Sequence, residues 1–227
     1  MNDKNQVAES IARIKEEIGG RARILAATKT VPPEMINFAI EQGIDVIGEN
    51  RVNELLEKYD LINRNKTEIH LIGALQTNKV KYIIDKVDMI HSVDRISLAD
   101  EIERQAAKHG IVMPVLAEVN IGNEVTKSGI DVSKVSEFCS YLNSLPHIKL
   151  RGLMAIPPKC EQKGGNNEYF CKMRKIFVDI SYQNVDNSNM DVLSLGMSDD
   201  YLDAVECGST MVRIGSGIFG KRIYNNN

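Results

Sequence analysis

A (β/α)8 barrel is the fold class this sequence predicts, and three observations predict it. Short apolar runs alternate with stretches of helical spacing along the chain, eight such runs are present, and no linker divides the 227 residues. Alternation alone leaves the doubly wound open sheet as runner-up, and the count of eight favours closure. Hydrophobic residues make up 43% and charged residues 26%, ordinary values for a globular chain that can bury a large core without metal or disulfide staples. Residues 1–227 therefore read as a single domain.

Each element has its own signal. Val7, Ile11, Ile14 and Ile18 lie at helical spacing over residues 5–19, an extra helix ahead of the first strand. The run from Ile24 to Thr28 is strand one, closed by Lys29 and Pro32-Pro33; paired prolines suit a helix start. Met35, Ile36, Ala39 and Ile40 form the following helix, stopped at Gly43. Asp45–Asn50 is strand two, followed by Val52, Leu55, Leu56 and Tyr59 at helical spacing. Ile69–Gly73 is strand three, with a short helix over 77–85. Asp88–Val93 is strand four; Leu98, Ile102 and Ala106 mark a helix ended by Gly110. Val115–Asn120 is strand five, followed by a stripe of Val132, Val135, Cys139 and Leu142. Leu150–Ile156 is strand six, stopped by Pro157-Pro158. Lys163–Asn167 reads as a flexible loop before the helix of Phe170, Met173, Phe177 and Ile180. Val192–Gly196 is strand seven, 199–207 a short helix, and Thr210–Gly215 strand eight, with no helix expected after it. Asn225–Asn227 reads as a frayed tail.

Charge and composition exclude several functions. The net charge is -3, aromatics are 5% and Trp is absent, so neither a basic footprint nor a base-stacking platform is present and nucleic acid is not an expected partner. The cysteines at 139, 160, 171 and 207 form no CxxC, which removes the usual zinc spacing. The polar N-terminus lacks a signal-peptide core, and no apolar run approaches the ~20 residues that cross a bilayer. Free thiols, a cytoplasmic location and no membrane partner are the expectation.

Barrel active sites lie at the C-terminal ends of the strands. There the sequence places Lys29, Glu49-Asn50, Gly73, Ser92–Asp94, Asn120, Met154, Met197-Ser198 and Arg213–Gly215. Alone, Lys29 reads as a solvated strand-end lysine. With partial desolvation and a neighbouring cation it reads as an amine that attacks an aldehyde. The loops after strands seven and eight are the usual phosphate site of such barrels. Here they carry Ser198, Gly215 and Gly217, a hydroxyl donor and glycines that admit close backbone approach. The bland reading is a Ser/Asp helix cap and a tight turn. Closing the barrel sets strand eight beside strand one, and so Lys29 beside these loops. An amine next to a phosphate cradle describes a pyridoxal phosphate (PLP) pocket or a Schiff-base aldolase. Gly215–Gly220 matches GxGxxG, yet only seven residues follow it, too few for a dinucleotide fold. His70, His91, His109 and His147 lack metal spacing, Asn50 reads as a helix cap, and Glu49 and Asp94 pair only by accident of folding.

Taken together, Ala27–Thr30, Gly48–Glu54, His70–Lys79, Gly196–Asp200 and Met211–Gly220 resemble the pyridoxal phosphate homeostasis protein family, in order from about residue 20 to 222. The resemblance implies a barrel like the N-terminal domain of alanine racemase. It implies that Lys29 holds PLP as a Schiff base. It implies that Ser198 and the Gly215-Ser216 amides, next to Ile214, hold the phosphate. Asn50 and Met154 line the site, and Arg213 faces the pyridine nitrogen. Ala74 stands where a larger or polar residue is expected, which affects only local shape. The function implied is a PLP carrier and buffer in vitamin B6 homeostasis, without efficient turnover, with PLP-dependent apo-enzymes as partners and a monomeric or weakly dimeric state. Arginine opposite the ring nitrogen makes a poor electron sink, and the racemases carry a second β domain for which this sequence has no residues. A minimal amino-acid racemase is the alternative, and a Schiff-base aldolase a further one.

Overall fold

Alternation along each strand decides which side chains fill the barrel and which meet the helices. In a computed structural model, residues 2–220 are described except Val125, Glu161, Lys163 and 184–189. The strands are β1 (Arg23–Ala27), β2 (Val46–Glu49), β3 (Glu68–Leu71), β4 (Met89–Val93), β5 (Met113–Asn120), β6 (Ile130–Asp131), β7 (Ile148–Ala155), β8 (Val192–Ser194) and β9 (Met211–Ile214). The helices are α1 (Lys4–Ile18), α2 (Pro33–Glu41), α3 (Val52–Lys58), α4 (Ile96–His109), α5 (Val135–Asn143), α6 (Asn167–Gln183), α7 (Tyr201–Glu206) and α8 (Ser216–Phe219). Pairing runs β4-β3-β2-β1-β9-β8-β7-β5, all parallel, and β4 meets β5 to close the ring. The eight-stranded barrel is therefore the observed fold, and the open sheet is set aside.

Three local differences have simple causes. The two-residue β6 pairs only with β5 and lies between the expected strand five and its helix; it is too short for a periodic signal. The segment Thr77–Tyr82 is a 3-10 helix rather than an α-helix. One turn of helix, α8, follows the last strand, where none was expected. The tail at 225–227 lies outside the described residues.

Inside the barrel, Leu25, Val46, Met89, Leu116, Val192 and Met211 form a buried apolar layer. The opposite faces join the helices in the larger core: Ile24, Ala26, Ile47, Ile69, Ile90 and Leu193 meet the α1 stripe Val7, Ile11, Ile14 and Ile18 and its counterparts. Near the N-terminal strand ends, Arg23 bridges Asp45 and Glu68, and Arg151 holds Asp191. Gly152 has φ +152°, and a Cβ there would stand 1.7 Å from the Val192 carbonyl oxygen, so β7 and β8 meet only because it is glycine.

Cys171 and Cys207 form a disulfide between α6 and the end of α7, whereas Cys139 and Cys160 are free. The expectation of four free thiols is corrected to two. The pair is 36 residues apart and is brought together by helix packing, which no spacing rule anticipates. The loop expected to be flexible is tethered over its described part. Gly164 N donates to Asp203 at 3.1 Å, and Asn166 Nδ2 to Asp200 at 2.9 Å.

Candidate functional site

A cavity of about 520 Å³ opens at the C-terminal strand ends, within the size range of small-molecule sites. Asn50, Ser198, Arg213, Gly215 and Ser216 line it, as do Ala27, Ile72, Ile156, Met197 and Asp199. Five of the residues expected from sequence thus share one space. Lys29, Met154 and Ile214 are not among its walls.

The backbone explains those three. Ile214 falls on the opposite parity from Arg213 and is buried in the outer core. Met154 faces inward but lies two residues deeper than the lining Ile156, and is fully buried. Lys29 is half-buried, in the turn that follows β1 and two residues past the lining Ala27. Among the described residues its ammonium has no hydrogen-bond or ion-pair partner. Pairing of β1 with β9 brings this strand end beside the Gly215 turn. Asn50 is not the helix cap: Arg51 holds that position, without a side-chain cap bond.

Ser198 Oγ accepts from Gly217 N at 3.0 Å, which leaves the hydroxyl proton free to be donated. A Cβ on Gly217 would come within 2.9 Å of Ile214 Cγ2 and 3.4 Å of Ser198 Oγ, so a side chain there would force Ile214 to shift. Arg213 is almost fully buried. Its Nη1 donates to Ser194 O and Oγ, both at 2.7 Å, and its Nη2 to Ala155 O at 3.0 Å. Two of its five N–H groups stay uncommitted among the described residues. Burial lowers its pKa to about 10, and it remains a cation at neutral pH.

Behind the cavity the inner face is polar. Glu118 on β5 is buried in register with Met154, and burial pushes its carboxyl up to about 7, helped by Asp94 and opposed by Arg213. His70 Nδ1 and His91 Nε2 are 3.0 Å apart, and His70 Nε2 lies 3.1 Å from Glu68 Oε2. Burial, with His70 and Arg213 nearby, holds His91 neutral, and its Nδ1 has no partner among the described residues. Glu49 and Asp94 do not pair; Glu49 binds Lys58 at 3.1 Å, and Asp94 binds Arg95 at 2.6 Å. Sequence reasoning missed Glu118 and Lys58. A carboxylate inside the run Val115–Asn120 was the available signal for the first. The second lies on a helix and gives none. No group of three metal-binding side chains occurs among the described residues.

Fold and cavity define the class: a closed parallel (β/α)8 barrel with a polar site at the C-terminal strand ends. The family described as "Alanine racemase, N-terminal domain" matches residues 3–223. The chain is 44% identical over 230 residues to the "Pyridoxal phosphate homeostasis protein" of Aquifex aeolicus (strain VF5), covering 99% of this chain and 100% of the relative. It belongs to the pyridoxal phosphate homeostasis protein family. PipY of Synechococcus elongatus PCC7942, solved with PLP bound, has a TM-score of 0.83 and 29% identity, covering 94% of this chain and all of that one. Alanine racemase from Corynebacterium glutamicum shares the fold, with a TM-score of 0.77 at 16% identity over 99% of this chain and 63% of that chain.

Proposed function

We propose that this chain, as one barrel domain, binds pyridoxal 5′-phosphate and serves PLP homeostasis as a carrier rather than as an efficient catalyst. The observation that carries the reading is the convergence of Ser198, Arg213, Gly215 and Ser216 on one cavity at the end of the strand that leads to Lys29. The residues present fit the group. Ser198 has a free hydroxyl proton, and Gly215 and Ser216 line the same cavity. Arg213 offers N–H donors to an unprotonated ring nitrogen, and Lys29 offers an amine without a partner among the described residues.

When bound, the cofactor supplies an aldehyde carbon that amines attack and a ring that draws electrons from it. Lys29 would hold that aldehyde covalently through Nζ. Ser198, with Gly215 and Ser216, would hold the phosphate. Arg213, charged and pinned by Ser194 and Ala155, donates protons that it does not release near neutral pH. A ring nitrogen facing it would stay unprotonated, which would weaken the electron sink. This supports carriage over turnover.

The proposal includes PLP-dependent apo-enzymes as recipients, a monomeric or weakly dimeric state, and a cytoplasmic location. Among the described residues no helix is long and apolar enough to cross a membrane. Cell fractionation checks the location.

A visible absorption spectrum of PLP-loaded protein, with and without borohydride, tests the main claim. Mass spectrometry should then place the reduced adduct on the peptide containing Lys29. An adduct confined to another lysine removes the assignment, and a protein that takes up no PLP removes the reading.

A further inference from the structure

The chain on either side of Lys29 is fixed by a buried charged cluster that the site itself does not use. Glu49 ends β2 and is fully buried. Glu54 and Lys58 stand one turn apart on α3. Lys58, only 8% exposed, donates from Nζ to Thr28 O at 2.9 Å, Glu49 Oε1 at 3.1 Å and Glu54 Oε1 at 2.6 Å. Thr28 Oγ1 donates to Glu49 Oε1 at 2.6 Å. Thr30 N donates to Glu54 Oε1. The carbonyl before Lys29 and the amide after it are thus both held by this cluster, while the Lys29 ammonium has no partner among the described residues.

Two features of the arrangement work against stability. Thr30 has φ +62°, the left-handed region, where a β-branched residue is strained. A buried cluster of two carboxylates and one ammonium is commonly less stabilising than apolar packing of the same volume. One oxygen, Glu49 Oε2, is buried without any partner among the described residues, and burial raises that carboxyl's pKa despite Thr28 and Lys58. Strain and charge burial converge on the residues that flank a single free amine. Fold stability alone gives no reason for that placement.

We propose that Lys58, acting with Glu49 and Glu54, is a positioning residue that fixes the backbone of Lys29 so that its amine meets a bound aldehyde. The proposal rests on the PLP reading above. In the step it serves, the neutral Lys29 nitrogen adds to the aldehyde carbon, a C=N bond replaces C=O, and the oxygen leaves as water. No electrons are transferred. Positioning enters because attack within one site depends steeply on the placement of the reacting atoms.

The test compares PLP with pyridoxamine 5′-phosphate, which has the same ring and phosphate but no aldehyde. In Lys58→Met, PLP affinity and the rate of borohydride-trappable adduct formation should fall by about tenfold or more, while pyridoxamine 5′-phosphate affinity stays within about twofold. Glu54→Gln keeps an acceptor and a folded helix, and should show the same pattern more weakly if Lys58→Met does not fold. In a Lys29→Ala background, the Lys58→Met change should no longer affect PLP affinity, the mark of coupling between the two lysines. Equal losses for both ligands, or no loss for either, would overturn the proposal. Wild-type protein that binds pyridoxamine 5′-phosphate but forms no adduct, or binds neither ligand, would instead overturn the reading beneath it.

Discussion

Glu118 is a carboxyl buried in the barrel interior, with Asp94 and Arg213 as its charged neighbours. Its pKa is pushed up to about 7 from an ordinary 4.5. Between these values the folded chain binds more protons than the unfolded one, so Glu118 lowers stability progressively as pH rises from 4.5 to 7. His91, held neutral by burial, acts in the opposite sense below its ordinary 6.5, so the readout is the difference between variant and wild type. Glu118→Gln should raise stability at pH 8 by about 1–3 kcal/mol and change it little at pH 4.5, as measured by urea unfolding. A constant difference across pH would remove Glu118 as the source. At the phosphate end, Ser198→Ala deletes both the acceptor of Gly217 N and the free hydroxyl proton. PLP titration should show a loss of about 1–3 kcal/mol, the scale of a charge-assisted hydrogen bond. At this scale the sequence revealed the residues at strand ends, such as Ser198, Arg213 and Lys29, because a barrel places chemistry there. It did not reveal Lys58, whose significance comes from a contact across thirty positions with Thr28.

Helix α1 shows what an element contributes apart from chemistry. Asp3 and Gln6 form a reciprocal capping box, Gly19 ends the helix in a left-handed conformation, and Val7, Ile11, Ile14 and Ile18 are buried. Asn2 N bonds Phe219 O at 2.8 Å, so this helix also fastens the turn after β9. Ile14→Ala should cost about 2–5 kcal/mol in chemical denaturation, the range of a large-to-small core change. A cost under about 1 kcal/mol would mean that α1 packs loosely. The periodicity of α1, α4, α5 and α6 made these elements legible before any coordinates. The single turn α8 was not, since four residues hold barely one period. The position of Arg51 at the start of α3 was hidden because Asn50 is the better capper by residue type. Its side chain instead lines the cavity.

For the whole molecule the decisive question is turnover. Racemisation needs an acid–base group on each face of the substrate and a ring that holds negative charge. In the proposed reading Arg213 would face the ring nitrogen and oppose the second requirement. PLP-loaded protein incubated with single enantiomers of alanine or serine should retain their chirality, with at most slow α-proton exchange. Turnover near the enzyme median of ~10 per second would replace the carrier reading with the racemase one. The two ends of the barrel bear on the same question in another way. Its interior is filled by Leu25, Val46, Met89, Leu116, Val192 and Met211, and its far end carries the Arg23–Asp45–Glu68 bridges. In the proposed reading the molecule is a vessel whose neck is the cavity at the C-terminal strand ends. On the carrier reading, cargo would enter and depart past the same rim, where Ile156 and Met197 stand partly exposed. Loading and delivery would then compete for that doorway, and a recipient that settled on the rim would shut out free ligand for as long as the handover lasted.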